Sequence, residues 1–312
     1  MLSRVAERMY WFGRYVERAE NTARLINANT SLVMDLPRMK HIWGSLISIT
    51  GYEVPFAHRF SVNDERNVIK FLLEDPACSI RSSVMMAREN ARTSREMMPN
   101  EAWEKVNELH LYLAKNIEKG LKRDGRHAFI QDILDRCHEL TGYLVGSMSN
   151  NDAYNFIKIG RNLERADMTT RILDVGCLNL VNPEHPEILE HENILWMNVL
   201  QSLTGYQMYR QHVQDRVNGE DVADFLIKDT RFPRAVLHCL KEVQRCFDIL
   251  PNPDQPLRDV THAQRMINNH DVITLLNEGG LHEYIDEIQM DLADIHNQVS
   301  NTWFLYGDSE SL

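Results

Sequence analysis

Residues 13–24 read GRYVERAENTAR and residues 160–171 read GRNLERADMTTR, an offset of 147 (160 − 13) with seven of the twelve positions identical. Two more pairs follow in the same order, both offset by 154 (202 − 48 and 225 − 71). Ser48–Tyr52 (SITGY) matches Ser202–Tyr206 (SLTGY), and Phe71–Asp75 (FLLED) matches Phe225–Asp229 (FLIKD). Chance supplies one such match but not an ordered set, so the chain reads as one helical unit written twice. The polar run Ser147–Asn151 marks the boundary. Residues 1–148 and 149–312 are the two expected repeats, together forming one compact unit.

Around these motifs the pattern is helical throughout. Val5, Phe12, Tyr15, Ala19, Ala23 and Ile26 make one stripe along residues 2–34, with charges opposite. Further helices are predicted over 64–74, 79–97, 101–122, 126–148, 151–179, 187–214, 219–228, 233–249, 262–278 and 281–305. Pro37 and Gly51 bracket the exit from the first helix, and Asp75-Pro76 forces an extended break. Thr261–Gln264 reads as a capping box, and Gly279-Gly280 as a helix stop. Pro251–Pro256 reads as a loop. No alternating strand longer than four residues is present. The expected fold is an all-α, internally duplicated helical bundle.

At about 100° per residue, Arg14, Glu17, Arg18, Asn21 and Arg24 fall on one contiguous polar stripe, and Gly13 lies on it too. Arg161, Glu164, Arg165, Asp167, Arg171 and Gly160 repeat the arrangement. A glycine inside a helix costs up to ~1 kcal/mol relative to alanine, so a repeated one points to a backbone or ligand passing close by. The two long helices are therefore expected to pack about a pseudo-twofold axis with their Arg and carboxylate groups interleaved. Such a cluster is either a buried ion-pair network that fixes register or a pocket whose guanidinium forks bind carboxylate or phosphate. Glu17 and Glu164 could alternatively form an acid/base pair.

Arg81, Arg88, Arg92 and Arg95 lie within a ~60° arc of the predicted helix 79–97. Residues 233–249 hold only Arg234, Lys241 and Arg245. The stripe is either a solvated, locally paired face or a second surface for an anion or partner.

Composition bounds the rest. Hydrophobic residues are 43% and charged residues 25% of the chain, which describes a globular protein. The net charge of −11 disfavours nucleic acid as a partner. Apolar runs are far shorter than the roughly 20 residues a membrane helix needs. The start MLSRVAE lacks the apolar region of a secretory signal. The five cysteines never form a CxxC, so a reducing cytoplasm is the expected setting and no thiolate metal site is indicated. Despite thirteen histidines, HExxH and paired ExxH motifs are absent, and the dense Glu184–Glu192 stretch reads as a loop and an acidic helix start. No phosphate-binding glycine loop or GxSxG occurs. Tyr10-Trp11-Phe12 reads as core.

The opening MLSRVAERMYWFGRYVERAENTARL, the segment ARENARTSRE followed by Trp103, and RNLERADMTTRILD together resemble the bacterial alpha-E family. The resemblance spans essentially the whole chain. Phe12 stands where an aliphatic residue is commoner, and Met168 replaces a polar residue. Members of that family are typically encoded beside, or fused to, circularly permuted ATP-grasp proteins, often near transglutaminase-like peptidases. The resemblance therefore implies an accessory part in cytoplasmic peptide or amide ligation, with Mg-ATP held by the ATP-grasp partner and no cofactor in this chain. Two alternatives are an enzyme of acyl or amide chemistry built on Glu17, Glu164 and the arginines, and a homo-oligomeric structural adaptor.

Overall fold

The computed structural model describes residues 1–36, 42–181 and 191–304, of which the side chains of 178–181 are not described. Pro37, residue 305 and most of the acid-rich stretch from 184 lie outside the described residues. Fifteen α-helices and no strand occur among the described residues. They are α1 (Ser3–Asp35), α2 (Ile42–Thr50), α3 (Glu53–Ala57), α4 (Glu65–Glu74), α5 (Ile80–Arg92), α6 (Asn100–Leu121), α7 (Arg123–Ser147), α8 (Asp152–Val181), α9 (Glu192–Ser202), α10 (Tyr206–His212), α11 (Gly219–Lys228), α12 (Val236–Phe247), α13 (Asp254–Asn269), α14 (Val272–Glu278) and α15 (Leu281–Val299).

The two longest helices, α1 and α8, lie against each other at the centre of the bundle. Gly13 faces the Ile157 carbonyl and Gly160 faces the Tyr10 carbonyl, each so closely that a Cβ would collide with backbone. Adding 147 to one contact gives the other with the helices exchanged (13 to 160, 10 to 157). Outside this pair the neighbours also correspond. Helices α5 and α7 pack on α1, while α12 and α15 pack on α8. Buried apolar side chains from Ala6 to Phe304 form one continuous cluster across both halves of the chain. Tyr10 and Phe12 are within it, as the sequence suggested, while Trp11 packs on its margin.

Several boundaries differ from the sequence reading. Residues 42–57 hold α2 and α3, which the bracket of Pro37 and Gly51 did not predict. In α2, Ile42, Trp43, Leu46, Ile47 and Ile49 are all buried, so the segment lacks the polar face that betrays a surface helix. The span 187–214 is interrupted after Ser202, where Thr204 takes φ 52° and the Gly205 amide returns to the Leu200 carbonyl at 2.7 Å. Helix α5 ends at Arg92, leaving Arg95 on a 3-10 turn.

Helix α13 starts at Asp254, so Pro256 lies in its first turn, where a missing N–H costs nothing. The capping box at Thr261 is therefore inside a helix and does not begin one. Asp271 caps a separate α14 through the Ile273 amide, splitting the predicted 262–278. Gly279 ends α14 at φ 80°. Helix α12 starts at Val236 rather than 233, and α15 passes into a π-turn over Ser300–Phe304.

Candidate functional site

Two charged clusters flank the crossing of α1 and α8. In the first, Glu164 accepts from Arg18 Nε at 2.5 Å, Arg18 Nη2 at 3.0 Å and Arg14 Nε at 2.7 Å. In the second, Glu17 accepts from Arg165 Nε at 2.9 Å and Arg165 Nη2 at 2.8 Å. The exchange is reciprocal, since Glu17 corresponds to Glu164 and Arg18 to Arg165. Both carboxylates are buried, with Glu17 at 0% and Glu164 at 2% exposure. Burial pushes their pKa values up, but the arginines outweigh it: Arg14 and Arg18 hold Glu164 at about 2. Arg165 and Arg234 likewise keep Glu17 below the ordinary carboxylate range. Carboxylates locked in the ionised form cannot deliver a proton near neutral pH, so this geometry does not suit Glu17 and Glu164 as a general acid/base pair.

The clusters then diverge. In the second, the Arg234 guanidinium donates to Glu17 Oε1 at 2.8 Å, Asn21 Oδ1 at 2.8 Å and Glu20 Oε1 at 2.9 Å. Glu20 also pairs with Arg24, which reaches Thr204 Oγ1 at 2.8 Å and His138 Nε2 at 3.0 Å. Burial, opposed by Glu17 and reinforced by Arg165, pulls Arg234 down to about 10. Arg161, the counterpart of Arg14, has a buried Nε with no partner among the described residues.

Arg234 has a simple origin. Asp229 and Asp75 start the same turn. Asp229 Oδ1 accepts from the Arg231 and Phe232 amides, and Asp75 Oδ1 from those of Ala77 and Cys78. Six residues (230–235) then lead to α12, whereas only four (76–79) lead to α5. The longer connection carries Pro233 and Arg234, which have no counterpart in the first half.

The first cluster receives no such arginine. A cavity of about 190 Å³ opens there, walled by Arg18, Arg171, Asp167, Tyr52, Cys78 and Met168 among others. Arg171 Nε donates to Asp167 Oδ2 at 3.0 Å. Gly51, at φ 71°, leaves the space into which Arg171 Nη1 projects; a Cβ there would lie 2.8 Å from it. On its far side the Arg18–Asp167–Arg171 group borders a wider cleft of about 660 Å³ that reaches Arg14, Asp286 and His296. His296 closes a chain in which its Nδ1 meets the Tyr10 hydroxyl at 2.7 Å and Arg14 Nη1 donates to that hydroxyl at 3.0 Å.

The structure thus gathers all ten candidates on α1 and α8 into two clusters. Arg14, Arg18, Glu164, Asp167 and Arg171 form the open one, and Glu17, Asn21, Arg24, Arg161 and Arg165 the filled one. The other stripe is less uniform than its spacing suggested. Arg81, Arg92 and Arg95 are exposed, Arg92 being held by Glu89, but Arg88 is half-buried, donating to Asn107 Oδ1 at 2.7 Å. Arg88 and Arg95 both lie over the Trp103 ring, at 5.7 and 5.5 Å.

Sequence reasoning gave no site role to Arg234, Glu20, His138, Tyr10 or His296, reading Tyr10 as core and Arg234 as one of the few basic residues of 233–249. For Arg234 the available signal was the two extra residues of its loop. The structure also brings ligand atoms of Asp174, His282 and Asp286 within 4.8 Å of one another. The 2.6 Å contact between His282 Nδ1 and Asp174 Oδ1 accounts for that grouping. All five cysteines are buried free thiols.

No described helix is long and apolar enough to cross a membrane. No curated protein and no solved structure matches the chain. The Alpha-E family, described as "a predicted alpha-helical domain with a conserved ER motif", matches residues 1–304. The Glu17-Arg18 and Glu164-Arg165 dipeptides are the ER pairs that lock α1 to α8 here, and the chain belongs to the Alpha-E family.

Proposed function

We propose that this chain is the non-ATP-binding component of a cytoplasmic, ATP-grasp-linked peptide or amide ligation system. Its contribution is a pocket for a carboxylate- or phosphate-bearing substrate, formed by Arg18 and Arg171. The ATP-grasp link rests on the family resemblance, and one observation carries the pocket: of two corresponding charged clusters, one is filled by Arg234 and the other keeps a cavity edged by two guanidiniums. A purely structural network would have no reason to leave one of them open. Arg18 Nη1 and both terminal nitrogens of Arg171 have no acceptor among the described residues, so they are free to take an anion. Mg-ATP would be bound by the ATP-grasp partner, and a transglutaminase-like peptidase would act on the same material.

The test is co-purification of the chain with its neighbouring ATP-grasp protein, followed by ADP release. Turnover should rise when the wild-type chain is added and not when Arg171→Gln is added. Equal turnover with and without the chain would sink the reading.

A further inference from the structure

We infer that the open cavity recognises an α-carboxylate together with the N–H donor beside it, the chemistry presented by the C-terminal residue of a peptide. This rests on the anion-pocket reading above and names what that pocket takes.

The first consideration is which groups still have capacity. Arg18 commits Nε and Nη2 to Glu164, and Arg171 commits Nε to Asp167. Arg18 Nη1 and both terminal nitrogens of Arg171 meet no acceptor among the described residues. These are donors for a carboxylate, and they line one cavity. On the acceptor side, Glu164 already takes three donors, but Asp167 Oδ1 accepts nothing from the described residues. Asp167 lines the cavity, and an anion that contacted only guanidiniums would make no use of it. A ligand carrying its own N–H next to the carboxylate satisfies Asp167 as well.

The filled cluster shows why the ligand is not simply a cation in the place of Arg234. The Arg234 guanidinium is received by three acceptors: Glu17, Glu20 and Asn21. Of their counterparts, Glu164 is already engaged by three donors from Arg14 and Arg18, and Met168 replaces Asn21 and offers no oxygen. Only Asp167 remains, one acceptor where the filled cluster offers three. Charge also separates the two sources of an α-carboxylate. The C-terminal residue of a peptide brings −1 to the unpaired guanidinium donors, whereas a free neutral amino acid brings an ammonium along with its carboxylate. Tyr52, Cys78 and Met168 supply apolar wall for a small side chain.

The experiment is calorimetric titration of the full chain with five probes: N-acetyl-alanine, alanyl-alanine, free alanine, propionate and inorganic phosphate. N-acetyl-alanine and alanyl-alanine should bind about tenfold tighter than propionate, because the N–H adds one charge-assisted hydrogen bond. Asp167→Ala should shrink that gap to about twofold or less, and Arg171→Gln should abolish binding of every probe. Free alanine binding tighter than N-acetyl-alanine would overturn the peptide terminus in favour of a free amino acid. Propionate or phosphate binding as tightly as N-acetyl-alanine would overturn this inference and leave the anion pocket standing. Silence from all five probes would overturn both. If Arg171→Gln proves unfolded by circular dichroism, the probe series on wild type and Asp167→Ala still decides.

Discussion

Arg234 Nη1 lies 2.8 Å from Glu17 Oε1, although 217 residues separate the two along the chain. A loop residue of the second half thereby closes a cluster built on the first helix. Removing it leaves two buried carboxylates, Glu17 and Glu20, short of a partner. Arg234→Ala should cost about 3–5 kcal/mol in chemical denaturation. Adding Glu20→Gln, which removes one of the orphaned charges, should recover part of that loss. A cost below about 1 kcal/mol would show that Arg234 is not holding the cluster together.

The ion pairs on the helix crossing should rank by burial. Arg165 is the main bidentate partner of the fully buried Glu17, so Arg165→Ala should destabilise by about 3–5 kcal/mol. Arg18→Ala should cost less, since Arg14 still reaches Glu164. Arg92, 55% exposed and paired with Glu89, should change stability least of the three. Thermal melts of the three variants give the order directly.

Acid should loosen the bundle through the same groups. Glu164 is held at about 2 in the folded chain, against an ordinary value of 4.5. The unfolded chain therefore takes up its proton first as pH falls. The contribution is complete above pH 5 to 6 and is lost as pH drops through 4.5 toward 2, at most on the order of 3 kcal/mol. Melting temperature should fall between pH 5 and pH 3, and Glu164→Gln should flatten that slope. An unchanged slope would show that other carboxylates dominate.

Glycine substitutions separate close approach from mere helix propensity. A Cβ at Gly13 or Gly160 would strike a carbonyl of the facing helix, whereas at Gly142 it would meet nothing within 4 Å. Gly13→Ala and Gly160→Ala should each destabilise by several kcal/mol, since neither backbone can retreat without parting the ion pairs. Gly142→Ala should stabilise by about 0.5–1 kcal/mol. Alanine tolerated at both crossing positions would contradict the tight contact.

The contrast between those glycines also explains what could be read in advance. Gly13 and Gly160 stand on charged stripes of long periodic helices, and a local pattern of that kind announces both the helix and its close neighbour. Arg234 could not be found that way. Its significance comes from partners on α1, and the two extra residues of its loop announce an insertion without saying what it meets. Helix α2 escaped for the opposite reason: burial on most sides removed the amphipathic pattern. The break at Thr204 is likewise decided from a distance, because Arg24 takes its hydroxyl while the residue sits in the left-handed region. Tyr10 meets His296 across 286 residues, a pairing no spacing rule contains.

The reciprocal glycine contact has a consequence for symmetry. Helix α1 carries both sides of the lock, since Gly13, Glu17 and Arg18 would complement a second copy of themselves about a twofold axis. Residues 1–148 produced alone should therefore dimerise isologously, Glu17 of one chain taking Arg18 of the other, and sedimentation would detect it. Such a dimer would have two identical clusters, both open or both closed. Joining the halves in one polypeptide releases them from that identity. The tether lets two inserted residues plug one cluster while its twin stays vacant, so a single chain gains an asymmetric pocket that a symmetric pair could not form.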